Sequence, residues 1–340
     1  MINLFYNKKL KIKAKNYQFF PLLQKLEEKN SSLSHYFSFV DKLEECDMGI
    51  IPMNIQLLIL QNMKKEVMDF IDQCRKFGKK VLIFSGGDFG ISIFSEGIYT
   101  IRLGGFHGKL SSTTYIMPPF IDDPYDKLNI KFNTILKSEK PTIGFVGHSN
   151  GSVLKFIKEY FLYVKGTINR IFRKDVTDYQ FFYPSSIKRH KYLKKLSKIK
   201  GIKSNFIFRN HYRAGIKKKG NIETTTREFY QNMNQNLYTF CLRGTGNFSA
   251  RFYETLAMGR IPVIIDTDCR LPFFEIINWE EHCIIISEKE GHTLGNRIID
   301  FHNNTSQEDL INIQFENRNI WKNYLRKTSY FIKLANCLKY

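Results

Sequence analysis

Arg243, Ser249, Arg251 and Glu254 fall within one short run, RGTGNFSARFYE, that also carries glycines at 244 and 246. The apolar stretch LYTFCL precedes it, and a helical pattern through Phe252, Leu256 and Ala257 follows as far as Gly259. Strand, tight turn and helix is the order this predicts. A helix start presents free amides and the positive end of a dipole, which suits a diphosphate. Arg243 and Arg251 flank that start and can add charge-assisted bonds to phosphate oxygens. Gly246 lacks a β-carbon and lets backbone approach a ligand, and Asn247 completes the turn.

Three ligand classes fit these residues. A nicotinamide or flavin cofactor is suggested by Gly244-x-Gly246 with Asp266 about 20 residues further on. Ser249, however, stands where the third glycine of that fingerprint belongs. A metal-bound nucleotide sugar is suggested by Asp266-Thr267-Asp268, since paired carboxylates can hold a divalent ion against a diphosphate. A nucleotide sugar held without metal is the third class. Glu254 suits it, one helical turn beyond Arg251, where a carboxylate could accept both ribose hydroxyls. A strand–turn–helix with ordinary surface arginines is the bland alternative.

From Phe240 to Ile286 the chain resembles the exostosin-like glycosyltransferases of the GT47 type. The resemblance rests on Phe240-Cys241-Leu242, Arg243, Ser249-x-Arg251 with Glu254, Ile261-Pro262-Val263, Leu271-Pro272-Phe273 and Ile277-x-Trp279. CDMGIIPM, GGDFG and YIMPPF are weaker echoes in the first half. The resemblance implies a GT-B fold with a nucleotide-sugar donor, expected to be UDP-linked, in the second domain. It also implies inverting transfer to a glycan or lipid-linked acceptor without a resident cofactor or obligatory metal. Arg243, Ser249 and Arg251 would meet the diphosphate and Glu254 the ribose, with Asp266-Thr267-Asp268 a strand-end loop near the sugar. With no membrane anchor and no second transferase domain expected, the chain departs from animal members and points to a microbial or viral glycan enzyme.

An inverting transfer needs a base within reach of the acceptor hydroxyl. Asp88 follows the buried strand VLIFSGG in a glycine loop, the right topological place for it. His107 in GGFHGK is the alternative, and either residue could instead only cap a turn. His148 and Asn150, in FVGHSNGS, sit where they could touch donor phosphates or cap the next helix.

The elements that must position these residues alternate between strand and helix along 340 residues. Such alternation predicts mostly parallel sheets covered by helices. We expect an α/β GT-B architecture, two Rossmann-like domains facing a central cleft. Residues 1–138 form the acceptor domain, 139–310 the nucleotide-sugar domain, and 311–340 a C-terminal helical segment that crosses back to the first. NIQLLILQNMKKEVMDFIDQCRKFG reads as one helix, SVLKFIKEYFLYVKG as another, and PPFIDDPYDKLNIKFNTILKSEKP as the linker.

Composition sets the remaining limits. A content of 43% hydrophobic and 15% aromatic residues belongs to a folded globular chain. The start, with lysines after a short apolar piece and no cleavage site, does not read as a signal peptide, and none is expected. Six cysteines without C-x-x-C spacing fit reduced thiols and a cytoplasmic location. The net charge is +20, and no acidic residue falls between Tyr179 and Ile222. The lysine-rich part, Lys188 to Lys219, is expected to meet an anionic acceptor or the face of an anionic membrane, or else to be a solvated surface. A basic nucleic-acid-binding α/β protein is the runner-up, but no RRM, KH or helix-turn-helix signature supports it and no nucleic acid is expected. A nicotinamide-dependent oxidoreductase is the third reading.

Overall fold

Strands that are apolar on both faces need covering on both, and that need organises the chain. Met48–Asn54 is buried at every position, as is Tyr238–Cys241. The computed structural model describes residues 1–13, 15, 18–209 and 219–339. The first sheet contains β1 (Ile2–Phe5), β2 (Phe37–Phe39), β3 (Met48–Asn54), β4 (Lys80–Ser85), β5 (Ile98–Arg102) and β6 (Thr114–Ile116). Its order is β2-β1-β3-β4-β5-β6, with every pairing parallel. The second holds β7 (Thr142–His148), β8 (Lys203–Arg209), β9 (Tyr238–Cys241), β10 (Ile261–Asp266) and β11 (Ile284–Ser287). Its order is β11-β10-β9-β7-β8, again all parallel.

Helices α1 (Pro21–Leu26), α2 (Ile55–Leu60) and α3 (Lys64–Lys76) belong to the first domain. The connection carries α4 (Pro124–Leu128), whose Tyr125 and Leu128 already pack against Tyr230, Met233 and Met258 of the second domain. There follow α5 (Val153–Ile171), α6 (Ser185–Leu196), α7 (Lys219–Gln235), α8 (Ala250–Ala257), α9 (Leu294–Asn304) and α10 (Gln307–Ile320). A π-helical turn, Trp321–Leu325, then bends the chain into α11 (Lys327–Leu338). This is the expected GT-B arrangement of two Rossmann-like domains with a returning C-terminal helix.

Some elements differ from the sequence reading. The segment read as one helix after β3 is two, because Asn62 takes a left-handed conformation (φ 62°) that an α-helix cannot continue through. The chain start is strand β1, paired on both sides, although its pattern is too short to stand out. Helix α5 runs past Gly166 to Ile171.

One hydrophobic cluster spans both domains. It joins Ile2, Leu4, Phe20 and Ile50 of the first to Phe252, Leu256 and Trp279 of the second through Trp321, Phe331 and Leu334. Phe331 is fully buried, 6.3 Å from the ring of Phe20 and 5.9 Å from that of Phe120. Removing a large aromatic side chain from such a site costs about 3–5 kcal/mol. Phe331→Ala should lower stability by about that much in a denaturant titration, and both domains should lose stability together because they share the cluster.

Candidate active site

In the second sheet the chain leaves β7 for β8 on one side and returns to β9 on the other. The crevice at the carboxyl ends of β7 and β9 is therefore a topological switch point, where α/β proteins bind ligands. Arg243 follows β9, His148 ends β7, and Arg251 stands on the first turn of α8. The fold brings these residues together with a further arginine, Arg189 of α6.

Arg189 and Arg243 are buried, while Arg251 is partly exposed. Arg189 donates to the carbonyls of His148 (2.7 Å) and Arg243 (3.1 Å). Arg251 donates to the Val146 carbonyl at 2.8 Å and lies 4.2 Å over the ring of Phe145, which Arg189 also faces at 6.0 Å. Arg243 lies 4.7 Å over the ring of Tyr183 and bonds the Thr245 carbonyl at 2.9 Å. Among the described residues, no carboxylate lies within ion-pair distance of any of the three, and the Nε atom of each is buried without a partner. Burial, with the neighbouring charge of Arg251, lowers the Arg189 pKa to about 10. Burial also lowers those of Arg243 and Arg251. Positive charge withdrawn from water without a counter-ion is costly, and an anion in the crevice would relieve it.

The other predicted donor residues divide. Ser249 precedes α8 but makes no capping bond with its side chain, so the hydroxyl stays at the helix mouth. Glu254, half-buried one turn along, raises the pKa of Arg251 through its charge. Asn247 instead uses its amide within the protein. It donates to the carbonyls of Gly105, Thr267 and Asp268 (3.1–3.3 Å) and accepts from Thr267 Oγ1 at 2.6 Å. Gly246 marks the contact between domains, because a β-carbon there would collide with the Asp88 carbonyl oxygen. His148 is half-buried at the β7 end. Asn150 caps locally, its Oδ1 accepting from Ser152 N at 2.8 Å.

Asp266 and Asp268 do not converge. Asp266 accepts from Cys269 N at 2.9 Å, whereas Asp268 accepts from Gly108 N of the first domain at 3.2 Å. Their loop is a weld between domains. His107 N donates to the Asp268 carbonyl at 2.7 Å. The Arg270 guanidinium reaches the carbonyls of Ser111 (2.6 Å), Leu110 (2.8 Å) and His107 (3.0 Å).

Across the cleft stand the two candidate bases. His107 accepts from Arg270 Nε at Nδ1 (3.3 Å), which assigns its neutral proton to Nε2 and makes that atom a donor. Asp88 has no hydrogen-bond or ion-pair partner among the described residues. Its tip reaches solvent, yet the cleft walls crowd it and burial raises its pKa. Arg102, only 1% exposed, holds the loop around it. It donates to the Phe89 carbonyl, to Gly104 O at 2.6 Å and to Asp178 at 2.9 Å. Asp178 belongs to a strap, residues 172–184, that leaves α5 and crosses to the first domain, where it also takes Ser92 N at 2.8 Å.

The sequence reading missed Arg189, Arg102, Asp178 and Arg270. Only Arg189 left a signal, since it shares helical spacing with the buried Leu193 and Leu196 and so had to point inward. The lysine-rich stretch is thus not one surface. Lys188 pairs with Glu288 at 2.7 Å, Lys195 bonds the His292 carbonyl at 2.9 Å, Lys191 and Lys194 face solvent, and residues 210–218 lie outside the described residues.

Residues 186–298, which hold Arg189, β9, the arginine turn, α8 and Asp266, match the family model of the exostosin GT47 domain. Over those residues the chain is similar to the exostosin GT47 domain. Over 90 residues the chain is 34% identical to the "Exostosin-1 homolog" of Caenorhabditis elegans, covering 26% of this chain and 22% of that protein. A shorter match of 62 residues is 37% identical to the "Probable beta-1,4-xylosyltransferase IRX10" of Arabidopsis thaliana, covering 18% of this chain and 15% of that protein. The chain thus spans no more than 22% of the length of these relatives. Among solved structures, "Crystal Structure of TarM" aligns over 85% of this chain and 59% of that one, with a TM-score of 0.37 and 9% identity.

The electrostatics of the cleft can be read in solution. A carboxyl whose folded pKa is raised stabilises the fold below its unfolded pKa, and that stability is lost as pH rises through the folded value. Asp88→Asn should therefore unfold no more easily than the parent at neutral pH. As pH falls below the carboxylate range, any advantage of the variant in thermal unfolding should disappear.

Proposed function

We propose that this protein is an inverting glycosyltransferase that uses a nucleoside-diphosphate sugar, UDP-linked, as donor and a glycan or lipid-linked hydroxyl as acceptor. The observation that carries the reading is the set of three arginines at the switch point that have no carboxylate partner among the described residues, on a domain whose Gly246 turn touches the backbone of Asp88. The similarity of residues 186–298 to the exostosin GT47 domain supports it, as does the name of one relative, a probable beta-1,4-xylosyltransferase. The free state of all six cysteines suits the cytoplasmic side of a membrane as the place of action.

In the reaction, Asp88 takes the proton of the acceptor hydroxyl as its oxygen attacks the anomeric carbon from the face opposite the diphosphate. The bond from that carbon to the diphosphate oxygen breaks, and the electron pair leaves with the nucleoside diphosphate. Negative charge grows on the leaving group, where preorganised donors are most effective. Arg189, Arg243, Arg251, the Ser249 hydroxyl and the α8 amides are the donors at hand. Their positive charge takes the place of a divalent ion, and the carboxylates of Asp266 and Asp268 are committed to separate backbone amides.

UDP should raise the unfolding temperature while NAD leaves it unchanged. Arg251→Ala should weaken UDP binding by about 1.5–3 kcal/mol, the scale of a charged hydrogen bond. Equal stabilisation by NAD, or undiminished binding by the variant, would overturn the donor assignment.

Transfer should persist in EDTA and vanish in Asp88→Asn, which should still bind UDP. In the parent enzyme the rate should fall as pH drops through the raised Asp88 pKa, because only the ionised carboxylate accepts a proton. Activity abolished by chelator and restored by manganese would replace the arginine mechanism with a metal-dependent one.

A further inference from the structure

Helix α5 is inside out for a helix on a globular surface. Such a helix normally turns its apolar stripe to the core and its charges to water. Here the side toward the protein carries Lys155, Glu159, Tyr163, Thr167 and Arg170, spaced three or four residues apart and only partly exposed. The opposite side carries Val153, Leu154, Ile157, Phe161, Ile168 and Ile171, one continuous apolar face. Leu154 is 80% exposed, Phe161 68% and Ile171 71%, and no residue of the helix is buried. The second domain does not need α5 for its core, since α6 supplies the buried Ile187, Leu193 and Leu196.

The helix is nevertheless held in place. Phe182 of the strap sits among the rings of Phe156, Tyr160 and Tyr163 (5.4–5.5 Å), and the Tyr163 and Tyr179 hydroxyls are 2.6 Å apart. Arg170 lies 5.1 Å over the ring of Phe89, the residue after Asp88. The apolar face is therefore presented on a fixed support beside the cleft.

Charge says what covers it. Lys158 and Lys165, two turns apart, line one edge of the apolar face, and Arg173 and Lys174 follow at the helix end, all exposed. The one carboxylate of the helix, Glu159, is turned to the protein side and pairs with Lys155 at 3.4 Å. Apolar residues opposite a polar face, with lysines at the boundary, suit a helix lying in the plane of a bilayer interface. Among the described residues no helix is long and apolar enough to cross a membrane.

We propose that α5 docks this protein onto an anionic phospholipid bilayer, its apolar face among the acyl chains and Lys158 and Lys165 at the headgroup phosphates. The membrane contact expected of the lysine-rich stretch after Lys188 passes to α5. The inner face of the docked helix stays tied to the loop that carries Asp88. The inference does not rest on glycosyl transfer, and UDP binding reads the two separately.

Flotation of the full chain with vesicles of phosphatidylcholine mixed with phosphatidylglycerol tests it, against phosphatidylcholine alone. The wild type should float with the mixed vesicles, and less so as salt rises. Leu154→Asp with Phe161→Asp should weaken that partitioning by more than about tenfold, since two exposed apolar anchors are lost. The same variant should keep the cooperative thermal unfolding and far-ultraviolet circular dichroism of the wild type, which shows that it is folded. Lys158→Gln with Lys165→Gln should blunt the dependence on phosphatidylglycerol, and Phe161→Trp should shift its emission to the blue when vesicles are added. Absence of wild-type flotation, unchanged flotation of the double aspartate variant, or unmoved Phe161→Trp emission would each overturn the proposal. So would self-association of the wild type abolished by that variant, which would give the face to a second copy.

Discussion

Positive charge that has no counter-ion among the described residues, at the carboxyl ends of β7 and β9, is the constraint around which the second domain is arranged. Arg189, Arg243 and Arg251 repel one another, and burial makes each less willing to carry its proton. They are kept in place by groups that compete weakly for their charge: the carbonyls of Val146, His148, Arg243 and Thr245, and the ring faces of Phe145 and Tyr183. A carboxylate at the same spot would satisfy the arginines and close the site to an anion. Carbonyls and rings orient the guanidinium groups while leaving part of their bonding capacity free.

A site of this kind works only if the opposite wall stands at a fixed distance. Here the distance is set by backbone touching backbone. Gly246 has no side chain because the Asp88 carbonyl occupies its place, and a β-carbon at Gly104 would come within 2.8 Å of the Asn247 carbonyl. Asn247, Arg270 and Asp268 then hold the two loops together, and the cluster around Trp321 and Phe331 makes the domains share one core. The base candidate and the arginines are thus positioned by the same few contacts. Arg102 and Asp178 fix the strap that links that wall to α5.

The strap also explains how an inverted helix can be tolerated. Polar residues on the inner side of α5 meet Tyr179, Asp175 and Phe182 on a narrow support, so little apolar surface is buried there. The outer face keeps its apolar residues in water at a cost that a partner surface would remove.

The sequence by itself determined the alternation of strands and helices and the turn that holds Arg243 and Arg251. Those properties are local. Apolar runs of strand length, glycines at turn positions and helical spacing each act within a few residues. It also supplied the resemblance that named the family, because that motif is contiguous from Phe240 to Ile286. Only the tertiary structure decided which residues complete the site. Arg189 reads as one more charge in a basic helix until the sheet turns it toward Phe145, and Asp266-Thr267-Asp268 reads as a metal motif until Gly108 of the other domain claims a carboxylate. The outward face of α5 is of the same kind. Its amphipathic pattern is plain in the sequence, but which side meets the protein depends on contacts with the strap and with Phe89, and periodicity carries no information about what lies opposite a face.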